Sequence, residues 1–156
     1  MPEITLRPVR PEDDLFVLDV FTASHGEYDF LPLPPDQKKQ LIELQYRLQT
    51  ADYKMRFPDS RHEVILVDEE AAGRVWWALL EEEIRIIDMG LLATARNSGV
   101  GTVLMKRFQQ EARKCDKPLR SSVLRFNQGS LRWHERLNFR VEREDELMLY
   151  MEWRAD

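Results

Sequence analysis

The feature that most narrows the folds open to this chain is the stretch Arg96-Asn97-Ser98-Gly99-Val100-Gly101-Thr102. The run before it, Ile84-Arg85-Ile86-Ile87-Asp88-Met89-Gly90-Leu91-Leu92, reads as a strand. Gly90 within that strand marks a bulge or a close backbone approach. After the stretch, Val100, Val103, Leu104, Phe108, Ala112 and Cys115 recur at helical spacing and read as one buried face, closed off by Pro118. A strand that enters a helix through glycines leaves backbone N–H groups free at the helix start, where they bind phosphate. Two familiar loops are excluded. The nucleoside-triphosphate loop needs Lys then Ser or Thr after its glycines, and neither pair follows here. The dinucleotide fingerprint needs a third glycine where Leu104 stands. What remains is R-x-x-G-x-G.

The rest of the chain alternates between the two periods. Ile4 to Val9 reads as a strand, and Pro11-Glu12-Asp13-Asp14 opens a helix carrying Leu15, Leu18 and Phe21. Loop residues follow, and a second helix runs from Asp36 past Asp52 with Leu41, Leu44 and Leu48 as its apolar face. Val64 to Val67 and Arg74 to Leu80 read as two strands of a meander, with a turn over 68–73. Beyond the glycine loop come a strand at 119–124, a short helix at 130–137, and strands at 139–141 and 147–153. The order is β-α-α-β-β-β-α-β-α-β-β: one α/β domain over 1–156 with a mixed sheet.

Charge narrows the function. The net charge is -5, which disfavours a general nucleic-acid binder. Residues 96–120 nevertheless hold seven basic side chains and two acidic ones. That island suits a small polyanion, or else is a solvated helix face. No apolar run approaches a membrane span, and the first residues lack a signal-peptide pattern. Cys115 is the single cysteine, so there is no intrachain disulfide and no multi-cysteine metal site. A reducing cytoplasm is the expected home.

Arg96-x-x-Gly99-x-Gly101 after a strand resembles the acetyl-CoA pyrophosphate loop of the GNAT N-acetyltransferase superfamily. Asn127, Ser130, His134 and Asn138-Phe139 resemble that family's later pattern of Asn, small residue, Tyr and Gly-Phe, and the element order agrees over nearly the whole chain. The resemblance implies acetyl-CoA as cofactor. Backbone of Met89, Gly90 and Leu91 would pair with the pantetheine arm, and Asn127 would hydrogen-bond it. The loop Arg96, Asn97, Ser98, Gly99, Val100, Gly101 and Thr102 would hold the pyrophosphate through its N–H groups.

The implied reaction moves an acetyl group from the thioester to a primary amine of a small molecule or peptide. A backbone N–H of Met89 or Gly90 would steady the developing oxyanion. His134 stands where the family usually has tyrosine, and an imidazolium there could protonate the departing thiolate. Asp88 is the candidate base, with Glu27 and Tyr53 as alternatives; Asp88 otherwise makes a structural hydrogen bond to a neighbouring loop. In a regular strand Asp88 and Arg85 point to opposite faces. Glu27, Tyr28, Gln45, Gln49, Tyr53 and Trp76 are the candidate acceptor-site residues. Trp76 and Trp77 should face opposite sides of the sheet, and Arg74 should pair with an acidic acceptor or with Glu81 to Glu83. Cys115 reads as a core residue without a nucleophilic role. The exposed last strands could join two copies as a homodimer. The competing reading is a non-catalytic acyl-CoA-binding sensor or scaffold.

Overall fold

The computed structural model describes residues 2–156. Seven strands form one sheet: β1 (Ile4–Pro8), β2 (Arg61–Val67), β3 (Glu70–Leu79), β4 (Ile84–Leu91), β5 (Leu119–Leu124), β6 (Arg140–Glu144) and β7 (Met148–Trp153). Their spatial order is β1-β2-β3-β4-β5-β7-β6. Helices α1 (Asp14–Ala23) and α2 (Pro35–Arg56) precede β2, α3 (Val100–Cys115) links β4 to β5, and α4 (Gln128–Arg136) links β5 to β6. The mixed α/β fold expected from the sequence is the one observed.

β1 to β4 form an antiparallel meander. The β2–β3 turn is tighter than the pattern suggests. Asp68 and Glu69 both take positive φ, 49° and 69°, which suits a two-residue hairpin turn. Gly73 therefore lies inside β3. A Cβ there would collide with the Gly90 carbonyl oxygen, so only glycine fits beside β4.

β4 and β5 run parallel, and their pairing covers only Ile84, Arg85 and Ile86 against Leu119, Arg120 and Ser121. Beyond Ile86 and Ser121 the two strands part while each continues its other pairing, β4 with β3 and β5 with β7. The result is a V in the middle of the sheet with Ser121 at its apex.

The main core lies between the sheet and α3, from Val100, Leu104, Met105 and Phe108 to Ile84, Ile86, Leu119, Val123 and Met151. A smaller cluster of Val17, Phe21 and Tyr46 joins α1 to α2. Here the helical patterns mislead. Val17, Val20 and Phe21 form the inner face of α1, while Leu15 is exposed. On α2 the buried residue is Tyr46, and Leu44 and Leu48 face solvent. Cys115 is also exposed, because α3 ends there and Asp116 turns left-handed at φ 53°.

Candidate active site

A cavity of about 520 Å³ passes through the V. Its walls come from the end of α1, the C-terminal half of α2, the parted stretches of β4 and β5, α4, and β7.

The glycine loop lies above the V. Asn97 and Gly99 take positive φ, 58° and 86°, and the loop carries the chain from a short turn at Ala93–Ala95 into α3. No side chain caps α3, so its first N–H groups find no side-chain partner. A Cβ on Gly99 would stand in open space, whereas one on Gly101 would touch Trp133 Cζ2 at 3.3 Å. Trp133 Nε1 donates to Thr102 Oγ1 at 2.9 Å, tying α4 to the start of α3. Ser98 Oγ donates to the Ala95 carbonyl within the loop. The Arg96 guanidinium is spent on structure: Nη2 donates to the Ala23 carbonyl at 2.6 Å and Nε to that of Leu91 at 3.3 Å. Its side chain therefore anchors the loop to α1 and β4. Other members of the basic island are similarly engaged. Arg107 and Lys117 donate to the carbonyls of Ile4 and Leu80, and Arg120 is held by Glu152. The positive character at the loop resides in backbone N–H groups.

Below the loop, Met89 and Leu91 pack toward the main core, while Gly90 faces α1. A Cβ on Gly90 would meet Ser24 Oγ at 2.7 Å and Val20 Cγ1 at 3.0 Å. Gly90 is therefore a close-approach glycine. The bulge lies earlier: the β3–β4 register shifts between Trp76 and Trp77, leaving Ile87 as the extra residue. Arg85 stands opposite Ala78 and Asp88 opposite Trp76, so the bulge brings Arg85 and Asp88 to one face.

Asp88 sits on the α1–α2 side and its carboxylate is paired. Arg74 Nη2 donates to Asp88 Oδ2 at 2.7 Å. Arg74 is 2% exposed and also reaches Gln49 Oε1 at 3.3 Å. The expected partners of Arg74, Glu81 to Glu83 or an outside acid, are replaced by this internal one. His62 lies beside it, stacked on Trp76 at 4.0 Å. Burial and the neighbouring Arg74 charge lower the His62 pKa to about 3, so its ring is neutral at pH 7.

Of the six acceptor-site candidates, Gln49 and Tyr53 line the cavity. Glu27 and Tyr28 sit on a short 3₁₀ turn, Gly26–Phe30, which carries them past the rim. Gln45 lies one turn before the part of α2 that borders the cavity. Trp76 and Trp77 do face opposite sides, but Trp76 is a buried support behind Tyr53, its indole N–H given to Ser60 Oγ at 2.7 Å. Trp77 packs on Phe108. Burial and then the Asp88 charge push the Tyr53 phenol far above its ordinary pKa, which favours its protonated form over the phenolate that a base would need. Sequence reasoning passed over His25, Arg85 and Tyr150, which also line the cavity. His25 read as a loop residue; it stacks on Phe21, and its Nδ1 donates to the Phe21 carbonyl at 2.8 Å. Tyr150 alternates outward on β7 and donates to Asp145 Oδ2 at 2.9 Å.

On the other wall, Asn127 borders the cavity and its Oδ1 caps α4, receiving the Ser130 N–H at 3.0 Å. His134 is 3% exposed. Its Nδ1 lies 2.8 Å from the Ser130 carbonyl and its Nε2 3.1 Å from Ser121 Oγ. Burial lowers its pKa, only partly offset by the Ser130 carbonyl. At rest the site therefore favours the neutral ring over the imidazolium expected from the sequence.

A mixed sheet parted between two parallel strands, with an uncapped glycine-led helix above and a polar cavity through it, has the architecture of an acetyltransferase. The model of the acetyltransferase (GNAT) family matches residues 24–139, and the chain belongs to that family. Among solved structures it is similar to the PaiA N-acetyltransferase of Thermoplasma acidophilum in complex with coenzyme A, at 16% identity and TM-score 0.73, covering 98% of this chain and 99% of that one. It is also similar to an acetyltransferase of Thermus thermophilus, at 19% identity and TM-score 0.69, covering 97% of each. A third is yncA of Salmonella typhimurium with its cofactor acetyl-CoA, at 15% identity and TM-score 0.58, covering 99% and 95%. No curated protein matches the chain in sequence. Among the described residues no helix is long and apolar enough to cross a membrane, and no cluster of three or more His, Cys, Asp or Glu could hold a metal ion.

Proposed function

We propose that the chain transfers an acetyl group from acetyl-CoA to a primary amine of a small molecule or peptide by direct attack. The observation that carries this reading is the V: β4 beyond Ile86 has no partner on the β5 side, directly below an uncapped helix start. The donor set fits a pantetheine arm with a pyrophosphate at its end. Backbone N–H groups of Asn97 to Thr102 would hold the anion, and the free edge at Met89, Gly90 and Leu91 would receive the arm. When bound, the thioester supplies an activated acyl carbon and a thiol leaving group. The N–H of Met89 or Gly90 would stabilise charge on the acyl oxygen. The solved relatives that hold coenzyme A or acetyl-CoA support this donor.

The acceptor would enter from the α2 and β7 side, past Gln49, Tyr53 and Tyr150. Asp88 would draw the first proton from the arriving ammonium, directly or through water. Its ion pair with Arg74 fixes the carboxylate's direction.

Melting temperature with and without acetyl-CoA tests the donor, with ATP and NAD as controls. At 100 times its dissociation constant a ligand adds about 2.7 kcal/mol of stability. A shift with acetyl-CoA alone is expected, followed by thiol release when primary amines are supplied. A shift without thiol release from any amine would favour the sensor reading; no shift would remove the donor.

A further inference from the structure

We propose that Ser121 is the group that moves protons at the reacting centre, with His134 behind it as the base that stores them. The inference rests on the acetyl-transfer reading and adds a residue to it. Ser121 is the last residue of β5 paired to β4, at the apex of the V, and it lines the cavity. A group at the apex sits where an arm laid along the parted strands must end.

The geometry fixes which atom carries each hydrogen. The Ser130 carbonyl only accepts, so His134 Nδ1, 2.8 Å away, is the protonated nitrogen. Nε2 then holds a lone pair, and Ser121 Oγ donates to it across 3.1 Å. The ring is held edge-on by Trp133 and Phe139, each 5.0 Å away between centroids. Its hydrogen-bond and ring partners, Ser121, Ser130, Trp133 and Phe139, are all uncharged. Burial favours the neutral ring, which is the form a proton acceptor needs.

In the transfer, the amine nitrogen, already neutral, bonds to the acyl carbon. Ser121 Oγ takes one proton from that nitrogen as its own proton passes to His134 Nε2. When the carbon–sulfur bond breaks, the proton on Nε2 returns through Ser121 Oγ to the sulfur. Amide and thiol leave, and Ser121 and His134 end as they began. No external acid is required at this step.

Kinetics and imidazole nitrogen shifts test the pair. Ser121→Ala should lower kcat about 10²-fold or more, with KM for acetyl-CoA unchanged. Ser121→Thr, which restores a hydroxyl, should recover most of the rate. His134→Gln should lose a similar factor, and the double variant should lose no more than either single one. Histidine ¹⁵N spectra at pH 7 need no acceptor. His134, assigned by its loss in His134→Gln, should be neutral with hydrogen on Nδ1, and its Nε2 shift should move in Ser121→Ala. A Ser121→Ala enzyme within about threefold of wild type overturns the relay, as does hydrogen found on Nε2, additive losses, or an acetyl group found on Ser121 by mass. A wild type that binds acetyl-CoA but releases no thiol with any amine overturns the transfer reading itself, and with it the relay.

Discussion

α2 and α3 invite comparison because both carry apolar residues at helical spacing, yet they present them to opposite environments. α3 buries Val100, Leu104, Met105, Phe108 and Ala112 against the sheet. α2 turns Leu44, Leu48 and Met55 to solvent and gives its inner face to Tyr46, Gln49 and Tyr53. A helix packed on a dry core follows its apolar stripe. One that borders a wet cavity is placed by its polar groups instead, here by the Arg74 side chain, which joins Gln49 on α2 to Asp88 on β4. An amphipathic pattern therefore fixes the existence of two faces but not which of them meets the protein.

The largest effect should come from cutting that polar tie. Arg74→Met leaves the Asp88 carboxylate without its partner, and removing one member of a buried pair costs about 3–5 kcal/mol. Asp88 keeps some contact with solvent, so the lower end is expected. Urea unfolding would read it; a loss below about 1 kcal/mol would mean that α2 is held by its small apolar contacts alone. Leucine truncations sharpen the contrast. Leu104→Ala, at 1% exposure, should cost about 2–5 kcal/mol. Leu48→Ala, 55% exposed, should cost less than about 0.5 kcal/mol. A larger Leu48 cost would show that something covers the stripe in solution.

The same contrast explains what was legible in the sequence. On the α3 side, local chemistry and fold agree. Gly99 and Gly101, the helix that follows and the strand before them lie within one continuous stretch, so their spacing in sequence is their arrangement in space. The acceptor side is assembled from distant segments. The Arg74–Asp88 pair depends on a one-residue bulge at Ile87, and that bulge brings Asp88 to the face of Arg85 against regular alternation. Ser121 carried no signal of its own; it gains a role only because β4 and β5 part beside it. Arg96 and Arg107 read as cationic, but their charges are spent on backbone carbonyls that only the tertiary fold brings near.

The two sides also respond differently to acid. His62, on the Arg74 side, has its pKa lowered from 6.5 to about 3. The unfolded chain therefore binds a proton at that site below about pH 6.5 that the folded chain refuses until about pH 3. The stability His62 contributes is complete above pH 6.5 and is lost as pH falls toward 3, at up to about 1.4 kcal/mol per pH unit. His134 adds a slope of the same sign. His62→Phe keeps a ring against Trp76 and removes the proton, so the loss of stability between pH 6.5 and 4 should become shallower by about one proton. Unfolding measured at several pH values reads this slope. An unchanged slope would mean that His62 is accessible to protons in the folded state.

At the loop, the effect on stability should be modest. Gly99 holds φ 86°, and a Cβ there would meet nothing within 4 Å. Gly99→Ala therefore carries only the left-handed backbone penalty, roughly 1 kcal/mol. Its cost for the ligand should be greater, since the added methyl stands where a pyrophosphate must approach the N–H groups. Gly101→Ala makes the matching control on the same helix turn, because its Cβ points at Trp133. If Gly99→Ala weakens acetyl-CoA binding by more than its stability loss accounts for, while Gly101→Ala does not, the open side of the loop is the anion's side. Equal weakening in both would move the anion away from Gly99 and toward the α4 face, where Trp133 already joins Thr102.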